Sequence, residues 1–310
     1  MELRQLRYFV GVAEAGSLLK ASARLHVAQP ALGQQMTTLE EEVGARLFDR
    51  SSRGVALTEA GRLFLDHARV VLADVERARE AVRDLAAVPG GNVVVGLPTT
   101  VALVAAVPIV AACRERLPRV RLKLVEGYSG FLQEWLQQGR LDFALIFGDS
   151  AQPGLAKQPL LDEPLALVTP PTHPPRKRVK LQALAGMPLV LPGREHGLRR
   201  IIDEAAEAAG VQLDVVAEID SLGQVKRAVE AGLGSTILTP GSVAEDVVAG
   251  RLRSAVVASP GMERRIVCAT SMARPATAAA EAVMDVVVEL IRQRVLEGSW
   301  PGRWIGRRRG

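Results

Sequence analysis

A chain of 310 residues with 48% hydrophobic and 24% charged residues has the composition of a globular protein of two or three domains, which excludes a disordered or fibrous one. Its formal charge of +5 and pI near 9.6 invite a nucleic-acid reading. Yet residues 1 to 90 hold twelve Lys or Arg against twelve Asp or Glu, a net of zero, while residues 292 to 310 hold six Arg against Glu297, a net of +5. The basicity is mostly a tail, so a DNA-binding surface has to be argued from something other than bulk charge.

MELRQLRYFV opens as an amphipathic helix and not as a leader with a basic start, an apolar run and a small-residue cleavage site, so a cytoplasmic protein is expected. Leu3, Leu6, Tyr8/Phe9, Val10 and Ala13 keep three-to-four spacing until Gly16 stops the pattern. Ser17 stands where an N-cap belongs, before LLKASARL, in which Leu18, Ala21 and Leu25 share a face. Val27 closes a short turn. Pro30 suits the first turn of the next helix, and Leu32, Met36, Leu39 and Val43 form its apolar stripe. Opposite that stripe lie Pro30, Gln34 and Thr37, with Ala31 on its shoulder. Two short helices joined by a tight turn behind a supporting helix make a helix-turn-helix unit.

In ARLFDRSSRGVALTEAG two apolar pieces flank the turn sequence SSRG, which reads as a two-stranded wing with Arg50 and Arg53 at its tip. Thr58 can cap the helix that follows. There Phe64, Ala68, Val71, Val75, Ala78, Val82 and Leu85 repeat at alternating four and three, a heptad seam that points to a dimerising linker helix; packing on its own domain is the alternative. PGG at 89 to 91 ends that texture. NVVVGL, VRLKLVE, DFALIF, LALVT and PLVL are short β-rich runs separated by helical patterns, the signature of an α/β sheet. VALVAAVPIVAAC, at 101 to 113, is too short for a bilayer and is broken by Pro108, so it reads as a buried helix.

Ligands in open α/β sheets gather beyond the carboxyl ends of strands, near helix amino termini. Those places here are Thr99 and Thr100, Tyr128 and Ser129, and Phe147. Thr99, Thr100 and Ser129 suit a carboxylate, with plain N-capping as the alternative. No chemistry of a catalytic kind is expected. His26, His67, His173 and His196 are scattered, Cys113 and Cys268 form no ligand pattern, and GLGST at 232 to 236 follows a helix where a phosphate loop needs a strand before it. We therefore expect no catalytic residue, no metal and no cofactor.

LRQLRYFVGVAEAGSLLKAS, RLHVAQPALGQQMTTLEEEVGARLF and RSSRGVALTEAGRLFL resemble the LysR-type transcriptional regulators almost position by position. Within that family, HVAQPALGQQMTTLE and LQQGRLDFALIFG are most similar to the nitrogen assimilation control subgroup. The resemblance implies an all-α winged helix-turn-helix DNA-binding domain over 1–58, a long dimerising linker helix over 59–89, and an α/β regulatory domain of two subdomains, periplasmic-binding-protein-like, over 90–298. Subdomain I is expected at about 90–160 and 270–298, subdomain II at about 161–269, with crossover strands near Leu160 to Thr169 and Arg264 to Ser271 and a basic tail over 299–310.

The implied partners are double-stranded promoter DNA, further copies of the chain in a homodimer or homotetramer, a small-molecule effector and RNA polymerase, with no membrane. A recognition helix can read adenine through Gln29 and Gln34 and thymine methyl groups through Pro30 and Ala31, with Thr37 alongside. Arg53 is expected in the minor groove, and Arg4, Lys20 and Arg50 on phosphates. Many members carry serine and arginine where this chain has Gly33 and Gln34, so the target sequence should differ; Ala28 replaces a frequent capping serine. Pro192 with Gly193, and Asp220 with Ser221, are expected across the effector cleft from the first three places. The rival reading is a small-molecule-binding protein of the same periplasmic fold without specific DNA recognition, against which the first ninety residues stand.

Overall fold

In the computed structural model, which describes residues 1–51, 54–83 and 89–306, a helical head is joined through one long helix to two α/β lobes. The head holds α1 (Leu3–Ala15), α2 (Leu18–Leu25) and α3 (Gln29–Val43), then the antiparallel wing strands β1 (Phe48–Ser51) and β2 (Gly54–Leu57). Local chemistry sets these limits. Gly16 and Gly44 end α1 and α3 in the left-handed conformation, and the Ser17 hydroxyl accepts from the Lys20 N–H to start α2. Ala28 gives α3 no side-chain cap.

Leu6, Phe9, Val12, Ala21, Leu32, Met36 and Leu39 close one core, in which the Phe9 ring meets those of Phe48 and Phe64 with centroids 5.0 Å apart in each case. The wing is tied back to this core, since Glu40 accepts from the N–H groups of Leu47 and Phe48 at 2.8 and 3.0 Å. The next helix, α4 (Glu59–Arg83), starts against the wing. A Cβ at Gly61 would lie 2.0 Å from the Leu47 carbonyl oxygen, so only glycine permits that approach.

The expected seam on α4 is divided. Phe64 packs against the head core and Ala68 is buried within it, as the alternative reading had it, while Val71 and Val82 are 40% and 69% exposed.

The first lobe begins with β3 (Gly91–Leu97), α5 (Thr99–Arg116), β4 (Val120–Glu126), α6 (Ser129–Gln137), β5 (Phe143–Phe147) and β6 (Leu155–Pro164). The chain then crosses to the second lobe, with β7 (Ala166–Thr169), β8 (Arg178–Val179), β9 (Pro188–Leu191), α7 (Gly197–Ala208), β10 (Asp214–Glu218), α8 (Leu222–Glu230), β11 (Thr236–Leu238), α9 (Ala244–Val248) and β12 (Arg253–Val257). It returns through β13 (Glu263–Ser271), α10 (Ala278–Leu296) and β14 (Arg303–Trp304). The first sheet runs β14-β6-β13-β5-β3-β4, with β3 parallel to both β4 and β5. In the second lobe β11-β7-β12-β8 form one sheet and β10-β9 another, linked by a parallel bridge between Leu189 and Ser235. The apolar run at 101 to 113 forms α5 but is buried on one face only: Val101, Ala105, Ile109 and Cys113 lie in the first lobe's core, while Leu103 and Val107 are exposed.

Two boundaries differ from the sequence expectation. β6 and β13 pair along their whole lengths, from Glu263 opposite Pro164 to Ser271 opposite Leu155, and β13 also pairs with β5. The first lobe therefore extends through Pro164 and resumes at Glu263, instead of stopping near 160 and resuming near 270. The supposed basic tail is structural over its described part. Trp300 is fully buried in the first lobe's core, and Arg303 and Trp304 pair with Asp162 and Leu161 of β6. The two tryptophans outweigh the arginines here, because burying large apolar surface dominates over surface charge. Arg307, Arg308 and Arg309 lie outside the described residues.

Candidate DNA interface and interlobe cleft

Leu32, Met36 and Leu39 face inward from α3, which leaves Gln29, Pro30, Ala31 and Gln34 exposed together on its opposite side. Among the described residues neither glutamine amide has a hydrogen-bond partner. Thr37 is half-buried, and its hydroxyl donates to the Gly33 carbonyl at 3.2 Å. Lys20 is exposed on α2, and Arg4 is exposed on α1 with Glu2 at 3.4 Å. Arg50 lies in the wing strand β1, and Arg53 falls outside the described residues.

The two lobes touch where Tyr128, just before α6, meets His196, just before α7; their rings are perpendicular with centroids 5.3 Å apart. Around that contact the structure brings together most of the expected effector residues. Thr99 and Thr100 open α5, and the Thr100 hydroxyl accepts from Arg264 Nη2 at 2.8 Å. Ser129 Oγ accepts from the Phe147 N–H at 3.1 Å. Neither hydroxyl is free and neither caps its own helix; each bonds across to another element. In the second lobe Asp220 Oδ1 accepts from the Gly193 N–H at 3.0 Å, the Pro192 carbonyl accepts from Arg199 at 3.1 Å, and Ser221 precedes α8 without capping it.

Sequence reasoning missed the centre of this site. Arg264 is buried, with Nε and Nη2 donating to Glu163 Oε2 at 3.2 and 2.8 Å, and its guanidinium carbon lies 3.7 Å over the Phe147 ring. The other Glu163 oxygen accepts from the Trp300 indole N–H at 2.5 Å. The available signal was a pair of opposite charges placed within two otherwise apolar strands, LLDEPL and RRIVCA. Burial pushes His196 below the ordinary histidine range, with Arg264 adding to that shift and Asp220 and Glu195 opposing it. Burial first, and the Asp220 charge second, raise the Tyr128 hydroxyl.

A second polar junction ties α4 to the first lobe. Arg77 donates to the Gly139 carbonyl at 2.7 Å and stands 3.6 Å from Asp142, while Arg274 donates to Asp74 and to the Gln137 carbonyl, each at 2.7 Å. Arg77, Asp142 and Arg274 line a cavity of about 170 Å³ with Glu281 and Met284. Asp142 also accepts from the Val94 N–H at 2.7 Å.

Residues 3–62 match the family described as bacterial regulatory helix-turn-helix protein, lysR family, and residues 86–292 match the LysR substrate binding domain. The chain is 34% identical over 298 residues to the nitrogen assimilation regulatory protein nac of Klebsiella aerogenes, spanning 96% of this chain and 97% of that one. It is 34% identical over 305 residues to the protein of the same name from Escherichia coli (strain K12), with the same coverage of both. Among solved structures, a full-length OxyR variant from Pseudomonas aeruginosa superposes with a TM-score of 0.72 at 25% identity, over 94% of this chain and 95% of that one. CbnR, a LysR family transcriptional regulator, shares the fold with a TM-score of 0.72 at 24% identity, over 94% and 99% of the two chains.

Proposed function

Since the chain belongs to the LysR family and is a DNA-binding transcriptional regulator, we propose that α3 reads its promoter through Gln29, Pro30, Ala31 and Gln34. The observation that carries this reading is the exposed face of α3, where two uncommitted amides flank two small apolar groups. Each amide offers a donor and an acceptor, which is what an adenine edge takes in the major groove, and Pro30 or Ala31 can meet a thymine methyl. Positive charge is not needed on that face. Thr37 is a further contact on the same helix, and Arg4, Lys20, Arg50 and Arg53 serve phosphates and the minor groove.

The two lobes hold a small-molecule effector between Thr99, Thr100, Tyr128, Ser129 and Phe147 on one side and Pro192, Asp220 and Ser221 on the other. The protein works in the cytoplasm as a homodimer or homotetramer, with RNA polymerase as its partner at the promoter. Val71 and Val82 on α4 support a pairing of linker helices. On the lobes, α5 leaves Leu103 and Val107 56% and 80% exposed, which supports a further contact between copies. The likeness to the nac proteins favours promoters that respond to nitrogen supply.

The test is binding of the full-length protein to a fragment of its own upstream region against a scrambled fragment, at one stated salt concentration. Gln34→Ala and Arg53→Ala are run alongside. Selective binding is expected, with Gln34→Ala losing about 1–3 kcal/mol of discrimination at one base pair and Arg53→Ala weakening both fragments. Selectivity that survives Gln34→Ala unchanged at every position removes Gln34 from the interface.

A further inference from the structure

Where the lobes meet at Tyr128 and His196, the two sides carry groups of opposite charge. On the first lobe α5 and α6 both begin at the cleft, and their N-cap residues, Pro98 and Tyr128, give no side-chain hydrogen bond. The first-turn N–H groups of both helices are therefore uncapped there and concentrate positive potential. Beside them lies Arg264, whose Nε and Nη2 are engaged by Glu163 and Thr100. Its Nη1 has no hydrogen-bond partner among the described residues.

The second lobe presents carboxylates. Asp220 is anchored through Oδ1 on the Gly193 N–H. A Cβ on Gly193 would come within 3.0 Å of Glu195 Oε1, and the His196 N–H bonds to the Gly193 carbonyl at 3.0 Å, so Asp220, Glu195 and His196 form one cluster. His196 in turn touches Tyr128, the residue before Ser129, and Ser129 bonds the backbone of Phe147, the ring beneath Arg264. This chain of contacts sets Arg264 and Asp220 on the two sides of the interlobe contact.

We propose that the effector is a zwitterion of the α-amino-acid class, with its carboxylate on Arg264 Nη1 and the first-turn amides of α5 and α6, and its ammonium on Asp220 and Glu195. The proposal rests on the regulator reading above and names the ligand class for its cleft. A plain carboxylate leaves the acidic wall unpaired beside its own negative charge, and a plain amine faces Arg264; a molecule with both charges is complementary to both walls. Glu163 orients the arginine while engaging only the Nε and Nη2 edge of a planar, rigid fork, which leaves Nη1 without a hydrogen bond among the described residues. Trp300 holds the far oxygen of Glu163 and so locks that orientation. His196, whose imidazolium form burial disfavours, stands beside that acidic wall.

Calorimetric titration and thermal melting of the full-length protein with each L-α-amino acid in turn test the proposal. Any that binds is compared with its amide and its N-acetyl derivative, each of which removes one charge. At least one amino acid is expected to bind, each derivative to bind about tenfold more weakly or worse, and Arg264→Gln and Asp220→Asn each to lose the parent. Asp220→Asn changes an exposed residue, so it decides the matter should Arg264→Gln unfold the lobe by leaving Glu163 unpaired. Binding by no amino acid, or binding of either derivative as tight as that of its parent, overturns the proposal. Ligand-free selection of the upstream fragment, measured in parallel, separates the two readings: if it persists while no amino acid binds, the zwitterion alone fails, and if it is absent the regulator reading fails as well.

Discussion

Trp300→Ala should destabilise the first lobe severely, although the residue lies in a segment whose composition reads as a charged tail. The side chain has no exposed surface and packs within the core of the first lobe. Truncating a buried tryptophan to alanine costs about 3–5 kcal/mol through lost burial and the cavity left behind. Its indole N–H also donates to Glu163, and losing a hydrogen bond to a charged group adds about 1.5–3 kcal/mol. The sum, roughly 5–8 kcal/mol, is comparable to the whole stability of a domain. At about 2–4 °C per kcal/mol for a domain of this size, the melting transition of the lobe should fall by about 10 °C or more. Trp300→Phe keeps most of the ring and loses the N–H, so its loss should be the hydrogen-bond part alone, about 3–12 °C. Scanning calorimetry of the full-length protein, with near-ultraviolet circular dichroism following the tryptophans, reads both. If Trp300→Ala melts within about 2 °C of the wild type, a cost near 1 kcal/mol or less, the residue is not a core residue and the tail reading was right.

Placing charge on the bare seam of α4 with Val71→Asp and Val82→Asp together should shift the protein to smaller assemblies by sedimentation while helical circular dichroism holds; unchanged association would place the dimer contact elsewhere. Burial raises the Asp142 carboxyl, with the Val94 N–H and Arg77 offsetting only part of the shift. A folded-state value above the unfolded one gives stability that is present in acid and lost as pH rises through the folded value. Asp142→Asn should therefore gain on the wild type as pH goes from the carboxylate range to neutral, and a melting-temperature difference that stays flat with pH refutes the assignment. Arg274→Asp should loosen α4 from the first lobe and alter the length of the DNA footprint, and the swap Asp74→Arg with Arg274→Asp should restore it; a swap that restores nothing removes the pair from the coupling.

The head was legible because every signal in it is local. Gly16, Ser17 and Pro30 mark helix limits by their own backbone chemistry, and the stripe Leu32, Met36, Leu39 leaves no choice about which face of α3 is exposed. The lobes were legible in outline through their strand-and-helix alternation, but their limits were set by pairing. Nothing within LLDEP says that Pro164 lies opposite Glu263, because that register depends on a strand a hundred positions away. The Glu163–Arg264 pair was hidden for the same reason, at a separation of 101 residues. Trp300 was hidden differently: its neighbours are glycine, proline and arginine, so composition spoke for a surface segment, and only tertiary packing shows that the indole fills the core. Thr100 and Ser129 were placed correctly at helix starts, yet the partners of their hydroxyls, Arg264 and the Phe147 backbone, come from other elements.

The cleft and the linker junction are built on the same two strands. β5 and β13 are antiparallel neighbours, with Ile266 opposite Phe147 and Thr270 opposite Phe143. At about 3.3 Å per residue the shared length is about 13 Å. At the cleft end stand Phe147 and Arg264; at the other end Asp142 precedes β5, and Arg274 follows β13 by three residues. The second lobe joins β13 directly at Met262, and β13 is paired on both sides, with a register shift against β6 between Ile266 and Val267. Beyond its other end Arg274 pairs with Asp74 on α4, the helix that follows the head. A ligand moves an equilibrium between two lobe arrangements only through contacts that differ between them. Tyr128 and His196 touch across the lobes, so their contact depends on the angle between them, whereas the partners of Arg264, namely Glu163, Thr100 and Phe147, all lie in the first lobe; a ligand that resets the lobes is therefore expected to act through the Tyr128–His196 contact.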